Sequence, residues 1–247
     1  VMSAIPAAPA VLLPGTGSDE IFVRAVFAGP LAEIGLEAIT PRPPAGDRLA
    51  VGFLTLLDEL AAQGPLIVGG ISFGAHLAAE WALRNPDRCA GLLLALPAWY
   101  GAPGDAPASR AAKASADLVD AEGIERALAL SVEGVAPWLA DELARSWRRH
   151  GDGLAASLRV AADHPAPTLD ELRELDIPAG IAACTDDPVH PAEVARTWAA
   201  TMPRAAVVET TLTALGTDRA SLGRAAIEAL SPTRRPTTTP DRGAPRR

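Results

Sequence analysis

The stretch Gly70-Ile71-Ser72-Phe73-Gly74-Ala75-His76 sets a hydroxyl between two glycines, with an imidazole four residues on. A serine in that setting suits attack on a carbonyl if the chain turns sharply and lifts the oxygen clear of the backbone. So sharp a turn leaves no room for side chains two residues before and after it, which accounts for Gly70 and Gly74. A serine hydroxyl is a weak nucleophile until a base takes its proton. The chain has four histidines, His76, His150, His164 and His190, and the chemistry depends on which of them reaches Ser72.

The turn needs a strand before it and a helix after it. Residues 65–69, PLIVG, read as an apolar strand, and FGAHLAAEWALRNP as an amphipathic helix whose N-terminus favours developing negative charge. His76 belongs to that helix. Helical side chains tilt toward the N-terminus, which brings His76 beneath the turn, whereas the serine oxygen points up and away. His76 is therefore expected between helix and sheet rather than at the nucleophile.

Around this unit, short apolar runs alternate with longer amphipathic stretches. The runs are 10–14, 36–40, 65–70, 89–97, 178–184 and 205–210. They are apolar on both faces, as strands of a covered parallel sheet must be. Helical patterns occupy 18–34, 46–62, 73–85, 190–202 and 217–230. The alternation predicts an α/β fold, a mostly parallel open sheet covered by helices on both faces, with right-handed crossovers. Residues 105–175 hold helical patterns and no strand, far more than an ordinary connection needs. They are expected to form a helical cap inserted into a core of residues 1–104 and 176–230. Residues 231–247, rich in Pro, Thr and Arg, cannot bury apolar surface and are expected to be a disordered basic tail.

The bulk figures narrow the function. The chain of 247 residues is 49% hydrophobic, enough for one substantial core, and its net charge of −8 offers no broad basic face to nucleic acid. A small-molecule substrate is expected. Cys89 and Cys184 stand apart beside apolar runs and read as buried free thiols, not as a metal site or a disulfide. No metal or cofactor is called for. No apolar run approaches the ~20 residues of a membrane helix. The N-terminal residues lack the basic start and long apolar core of a secretion signal, so a cytoplasmic protein is expected.

On the strand–GISFG–helix unit, the turn LLPGTGS (12–18) and the loop ACTDDPVHP (183–191), the chain resembles the α/β-hydrolase fold over most of residues 10–230. The resemblance implies a Ser72 nucleophile and an oxyanion hole made of two backbone amides, Thr16 and Phe73. It also implies an acid in the loop after the penultimate strand. Lined up on Pro191 that acid is Asp187, with its neighbour Asp186 as the second candidate. An acidic cap for the helix that follows Pro191 is the plainer alternative for the pair.

The resemblance fails at the base. It implies a histidine in the loop after the last strand, near Gly216, where the chain reads Gly216-Thr217-Asp218. Thr217 and Asp218 are poor substitutes for imidazole, and an ordinary carboxylate is a weak base at neutral pH. His190, three residues after Asp187, is the candidate for a relocated base. His164 lies where the insertion returns to the core, and His150 reads as the basic end of an insertion helix. Trp99, Tyr100, Phe73, Trp138 and Trp147 either line a pocket for an apolar or planar substrate or pack the insertion onto the core. Three functions stay open: a serine hydrolase of a small ester, thioester or amide; a non-hydrolytic lyase, cyclase or isomerase on the same pocket; and a ligand-binding pseudoenzyme.

Overall fold

The computed structural model describes residues 7–231. The tail expectation falls almost wholly on residues 232–247, outside the described residues. Six strands form one sheet: β1 (Ala10–Leu13), β2 (Ala38–Ile39), β3 (Leu66–Ile71), β4 (Cys89–Ala95), β5 (Ala179–Cys184) and β6 (Ala205–Thr210). Their order is β2-β1-β3-β4-β5-β6, and every pairing is parallel. Helices α1 (Glu20–Glu33), α2 (Leu49–Ala61) and α3 (Phe73–Arg84) connect the first four strands. Between β4 and β5 come α4 (Pro107–Glu122), α5 (Ile124–Ser131), α6 (Pro137–His150), α7 (Leu154–Asp163) and α8 (Leu169–Glu174). Helix α9 (Ala192–Thr201) joins β5 to β6, and α10 (Leu212–Thr217) and α11 (Ala220–Leu230) close the described chain.

The strands are apolar on both faces because both faces are covered. Val11, Leu13, Val68, Leu92 and Leu94 point into a core with Phe53, Leu57, Leu77, Trp81 and Trp198 of α2, α3 and α9. Their neighbours Ala10, Leu12, Ile67 and Leu93 point the other way, onto Val26, Phe27, Leu222 and Ile227 of α1 and α11. This is the period of two expected of a strand buried on each side. The insertion has its own smaller core around Trp147, Leu154, Leu158, Ala116 and Leu128.

Two elements differ from the sequence expectation. The strand expected at 36–40 pairs over only Ala38–Ile39, because it is an edge strand that runs into Pro41, Pro43 and Pro44. The single helix expected at 217–230 is two. Thr211 accepts from the amide of Ala214 (3.0 Å) and starts α10 early. Asp218 then accepts from the amide of Ala220 (3.0 Å) at the start of α11.

The strand order sets the place of the site. The chain steps to one side from β1 to β2, then returns past β1 to add β3 on the other side. The carboxyl ends of β1 and β3 thus flank a topological switch point, where open α/β sheets make their crevices. The turn after β1 carries Thr16 and the turn after β3 carries Ser72.

Candidate active site

Ser72 lies between β3 and α3 with φ 53° and ψ −114°, a left-handed conformation that costs a non-glycine residue on the order of 1–3 kcal/mol. The surroundings hold it there. Its amide donates to Ala95 O of β4 (2.8 Å), and its carbonyl accepts from the amides of Ala75 (2.9 Å) and His76 (3.1 Å).

The two glycines of the turn are steric requirements. A Cβ on Gly74 would lie 2.2 Å from Leu13 O and 2.8 Å from Pro14 O; one on Gly70 would lie 2.4 Å from Leu13 O. The exit of β1 therefore runs directly against the start of α3. Gly74→Ala is expected to destabilise the fold by about 1–3 kcal/mol, the usual range for overpacking. The check is a lower urea midpoint at unchanged slope. A midpoint equal to wild type would mean that β1 and α3 yield more easily than these distances imply.

The same contact brings the turn after β1 to Ser72. A Cβ on Gly15 would lie 3.5 Å from Ser72 Cβ. Thr16 follows in that turn, and Phe73 opens α3. Among the described residues, neither of their amides donates to a protein acceptor.

His190 approaches Ser72 from the loop after β5, crossing β4. Its Nε2 is 2.9 Å from Ser72 Oγ, and its Nδ1 is 2.8 Å from Asp187 Oδ2. Asp187 also folds the loop. Its Oδ1 accepts from the amides of Val189 (2.8 Å) and His190 (3.1 Å), so one carboxylate bends the backbone and receives the ring of the same residue. Burial would raise the Asp187 pKa; the His190 hydrogen bond and the two amides outweigh it and hold the carboxyl below the ordinary carboxylate range. A ring nitrogen facing an ionised carboxylate carries the proton, so Nδ1 donates to Asp187 and Nε2 accepts from the Ser72 hydroxyl. Ser72 is 7% exposed and the His190 side chain 18%, so the pair is recessed but not sealed.

The other sequence candidates are engaged elsewhere. Asp186 Oδ1 accepts from the amide of Leu212 (2.6 Å) and ties the acid loop to the turn after β6. His76 is fully buried, accepts from the amide of Ala98 at Nε2 (2.9 Å) and packs against Trp99 and Trp198. Burial, with smaller contributions from His190 and His164, pushes its pKa down to about 3. His164 Nε2 lies 2.6 Å from Glu80 Oε2 on α3, and His150 Nε2 donates to Ser18 O (2.8 Å). Thr217 donates to Thr213 O (2.9 Å), and Asp218 pairs with Arg224. The space near Gly216 is occupied by Trp138 of α6: a Cβ on Gly216 would meet its indole Nε1 at 2.5 Å.

Of the two roles left open for the aromatic residues, packing accounts for the three tryptophans. Trp99 is buried against His76, Trp147 belongs to the insertion core, and Trp138 stacks on Phe22 and under the Arg219 guanidinium, 4.4 Å from its ring centroid. Two surface cavities lie away from Ser72. One, of about 140 Å³, is lined by Asp19, Arg42, Arg149 and His150; the other, of about 490 Å³, lies between α1 and the segment leading to β2. Cys89 and Cys184 are buried and free, and burial pushes both thiols up to about 12. Among the described residues, no group of three His, Cys, Asp or Glu side chains is placed to hold a metal, and no helix is long and apolar enough to cross a membrane.

Sequence reasoning put His190 forward as the relocated base, and its ring lies 2.9 Å from Ser72 Oγ. The signal that selects His190 is its spacing from Asp187: an Asp that accepts from amides two and three residues on brings the side chain at the third position back to its own carboxylate.

No protein-family model matches the chain, and no curated protein does. Solved structures do. A thermophilic esterase from Thermogutta terrifontis is 21% identical, covering 83% of this chain and 81% of its own, with a TM-score of 0.62. MenH from S. aureus is 16% identical over 93% of this chain and 96% of its own, with a TM-score of 0.69. The enol-lactonase from Burkholderia xenovorans LB400 is 19% identical over 83% of this chain and 84% of its own, with a TM-score of 0.61.

Proposed function

From the premise that the chain has the α/β-hydrolase fold, we propose that it is a serine hydrolase of a small ester, thioester or amide. The observation that carries this reading is the continuous hydrogen-bonded chain Ser72–His190–Asp187, with 2.9 Å between Nε2 and Oγ. That distance lies within the reach a general base needs.

The mechanism follows from the proton positions. Ser72 Oγ attacks the substrate carbonyl carbon while its proton passes to His190 Nε2. Asp187 stays ionised and stabilises the imidazolium that forms; it does not take the proton itself. The carbonyl oxygen becomes an oxyanion facing the amides of Thr16 and Phe73, with the N-terminus of α3 behind Ser72. His190 then protonates the leaving alcohol, thiol or amine, and an acyl-Ser72 ester remains. In the second half a water gives its proton to His190 as it attacks the ester, and the proton returns to Ser72 as the acid leaves. The tryptophans named above are occupied in packing, so the reading defines the substrate by its carbonyl rather than by an aromatic pocket.

The test is covalent labelling. A fluorophosphonate probe is expected to transfer its phosphonyl group to the wild-type protein with loss of fluoride, with the adduct mapped by peptide mass to Ser72, and to leave Ser72→Ala unlabelled. A panel of short-chain aryl esters and thioesters should be hydrolysed by the former and not by the latter. Folded wild type that takes no label, or Ser72→Ala that hydrolyses the panel at the wild-type rate, would sink the reading.

A further inference from the structure

The turn that carries Thr16 has little to hold it from within. Its one internal backbone bond runs from the amide of Ser18 to Gly15 O (3.1 Å), and Gly17 lies in the left-handed region at φ +66°. The remaining constraints come from outside, and most of them come from one helix of the insertion. Arg145 of α6 forks onto the Asp19 carboxylate, with Nη2 to Oδ1 at 2.8 Å and Nε to Oδ2 at 3.1 Å. Arg149, one helical turn on, adds its Nε to Oδ2 at 3.3 Å and pairs with Glu20. His150 donates to Ser18 O. The Trp147 indole and a Leu158 methyl press on Gly17 so closely that a Cβ there would meet each at 3.2 Å.

Asp19 joins these contacts to the core. It is 1% exposed, and its Oδ1 also accepts from the amides of Ile21 and Phe22, both at 3.1 Å, as the N-cap of α1. Burial disfavours its charge, but the Arg145 hydrogen bond and the Phe22 amide hold the carboxyl below its ordinary range. A buried carboxylate of this kind depends on its bidentate partner: without Arg145 it would be left undercompensated and would draw in water or shift.

We infer that the seating of α6 on the turn Gly15–Asp19 sets where the Thr16 amide points, with the Asp19–Arg145 pair as the fastening, so that Arg145 is a positioning residue for the oxyanion hole. This rests on the serine-hydrolase reading above. Most of these contacts come from one helix, so displacing α6 would cost the turn Arg145, Arg149, His150 and Trp147 together. An oxyanion donor works only when pre-aimed at the developing charge, and losing one donor outright lowers kcat by about 10²–10³-fold. A donor merely let loose should lose part of that.

The experiment compares Arg145→Gln, Arg145→Lys, Asp19→Asn and wild type on one aryl ester, with an alkylboronic acid as a probe that forms a charged tetrahedral adduct on Ser72. Asp19→Asn keeps an N-cap for α1 while removing the charge that Arg145 grips. Arg145→Gln and Asp19→Asn are each expected to lower kcat by about 10–100-fold, part of the full cost of a lost donor. KM should stay within about threefold, and boronate affinity should fall in step with kcat, as for an interaction made only in the transition state. Arg145→Lys, which keeps the charge but not the fork, should recover part of both. A merely structural role would lower thermal stability without moving kcat and boronate affinity together. If wild type is labelled at Ser72 and folded Asp19→Asn keeps both within twofold, the inference is overturned while the hydrolase reading stands. If wild type is not labelled, the hydrolase reading fails first and the inference with it.

Discussion

His190→Ala is expected to lower kcat on an activated ester by about 10⁴-fold while leaving the fold intact, because the triad acts as a unit. The expectation comes from geometry. Nε2 of His190 is the imidazole nitrogen 2.9 Å from Ser72 Oγ, and the other described histidines are committed to Ala98, Ser18 and Glu80. Without the ring the Ser72 proton has no acceptor, and the carboxylate of Asp187 has no imidazolium to stabilise. The double variant Ser72→Ala with His190→Ala should be no slower than Ser72→Ala alone, since both remove one function. Added imidazole should return part of the His190→Ala activity by filling the space left by the ring. A His190→Ala enzyme within tenfold of wild type, beside an inactive Ser72→Ala, would place the base elsewhere and break the link between the acid loop and the nucleophile.

Acid stability should respond to His76. Its pKa is pushed down to about 3 in the fold, against an ordinary value near 6.5. Below 6.5 the unfolded chain takes up a proton that the folded protein refuses until about 3. The stability tied to neutral His76 is therefore complete above pH 6.5 and drains away as the pH falls toward 3. At about 1.4 kcal/mol per pKa unit the loss across that window is on the order of several kcal/mol. Asp19 and Asp187, both held below the ordinary carboxylate range, add losses in a lower window, as the pH falls past that range toward their own depressed values. The measurement is the urea midpoint of wild type and His76→Gln from pH 7.5 to 4. Glutamine can still accept from the Ala98 amide but does not titrate. His76→Gln should be the less stable at pH 7.5, and its deficit should shrink steadily on acidification. A deficit that stays constant would show that His76 is protonated in the fold or gains no proton on unfolding.

The local features were readable from the chain because local physics sets them. PLIVG is apolar at every position, so it needs cover on both faces, and β3 has it. GISFG puts glycine where Leu13 O and Pro14 O leave no room for a Cβ. The apolar blocks and helical periods predicted the alternating strands and helices, and where they overreached, at 36–40 and 217–230, prolines and a threonine cap account for the difference. The tryptophans were ambiguous for a physical reason: an aromatic ring suits a pocket wall and a core equally, and only its neighbours tell which.

What the sequence determined by itself was the sheet, the strained turn at Ser72 and an acidic loop after the penultimate strand, each dictated by residues close in the chain. What only the tertiary structure decided was the partner of Ser72, 118 residues away. That depends on β5 lying one strand beyond β4 and on Asp187 bending its own loop until His190 faces back across the sheet. Trp138 of α6 fills the space beside Gly216, where the resemblance implied a histidine that the chain lacks. Distances of that kind are sums over the packing of many elements, and spacing along the chain carries no record of them.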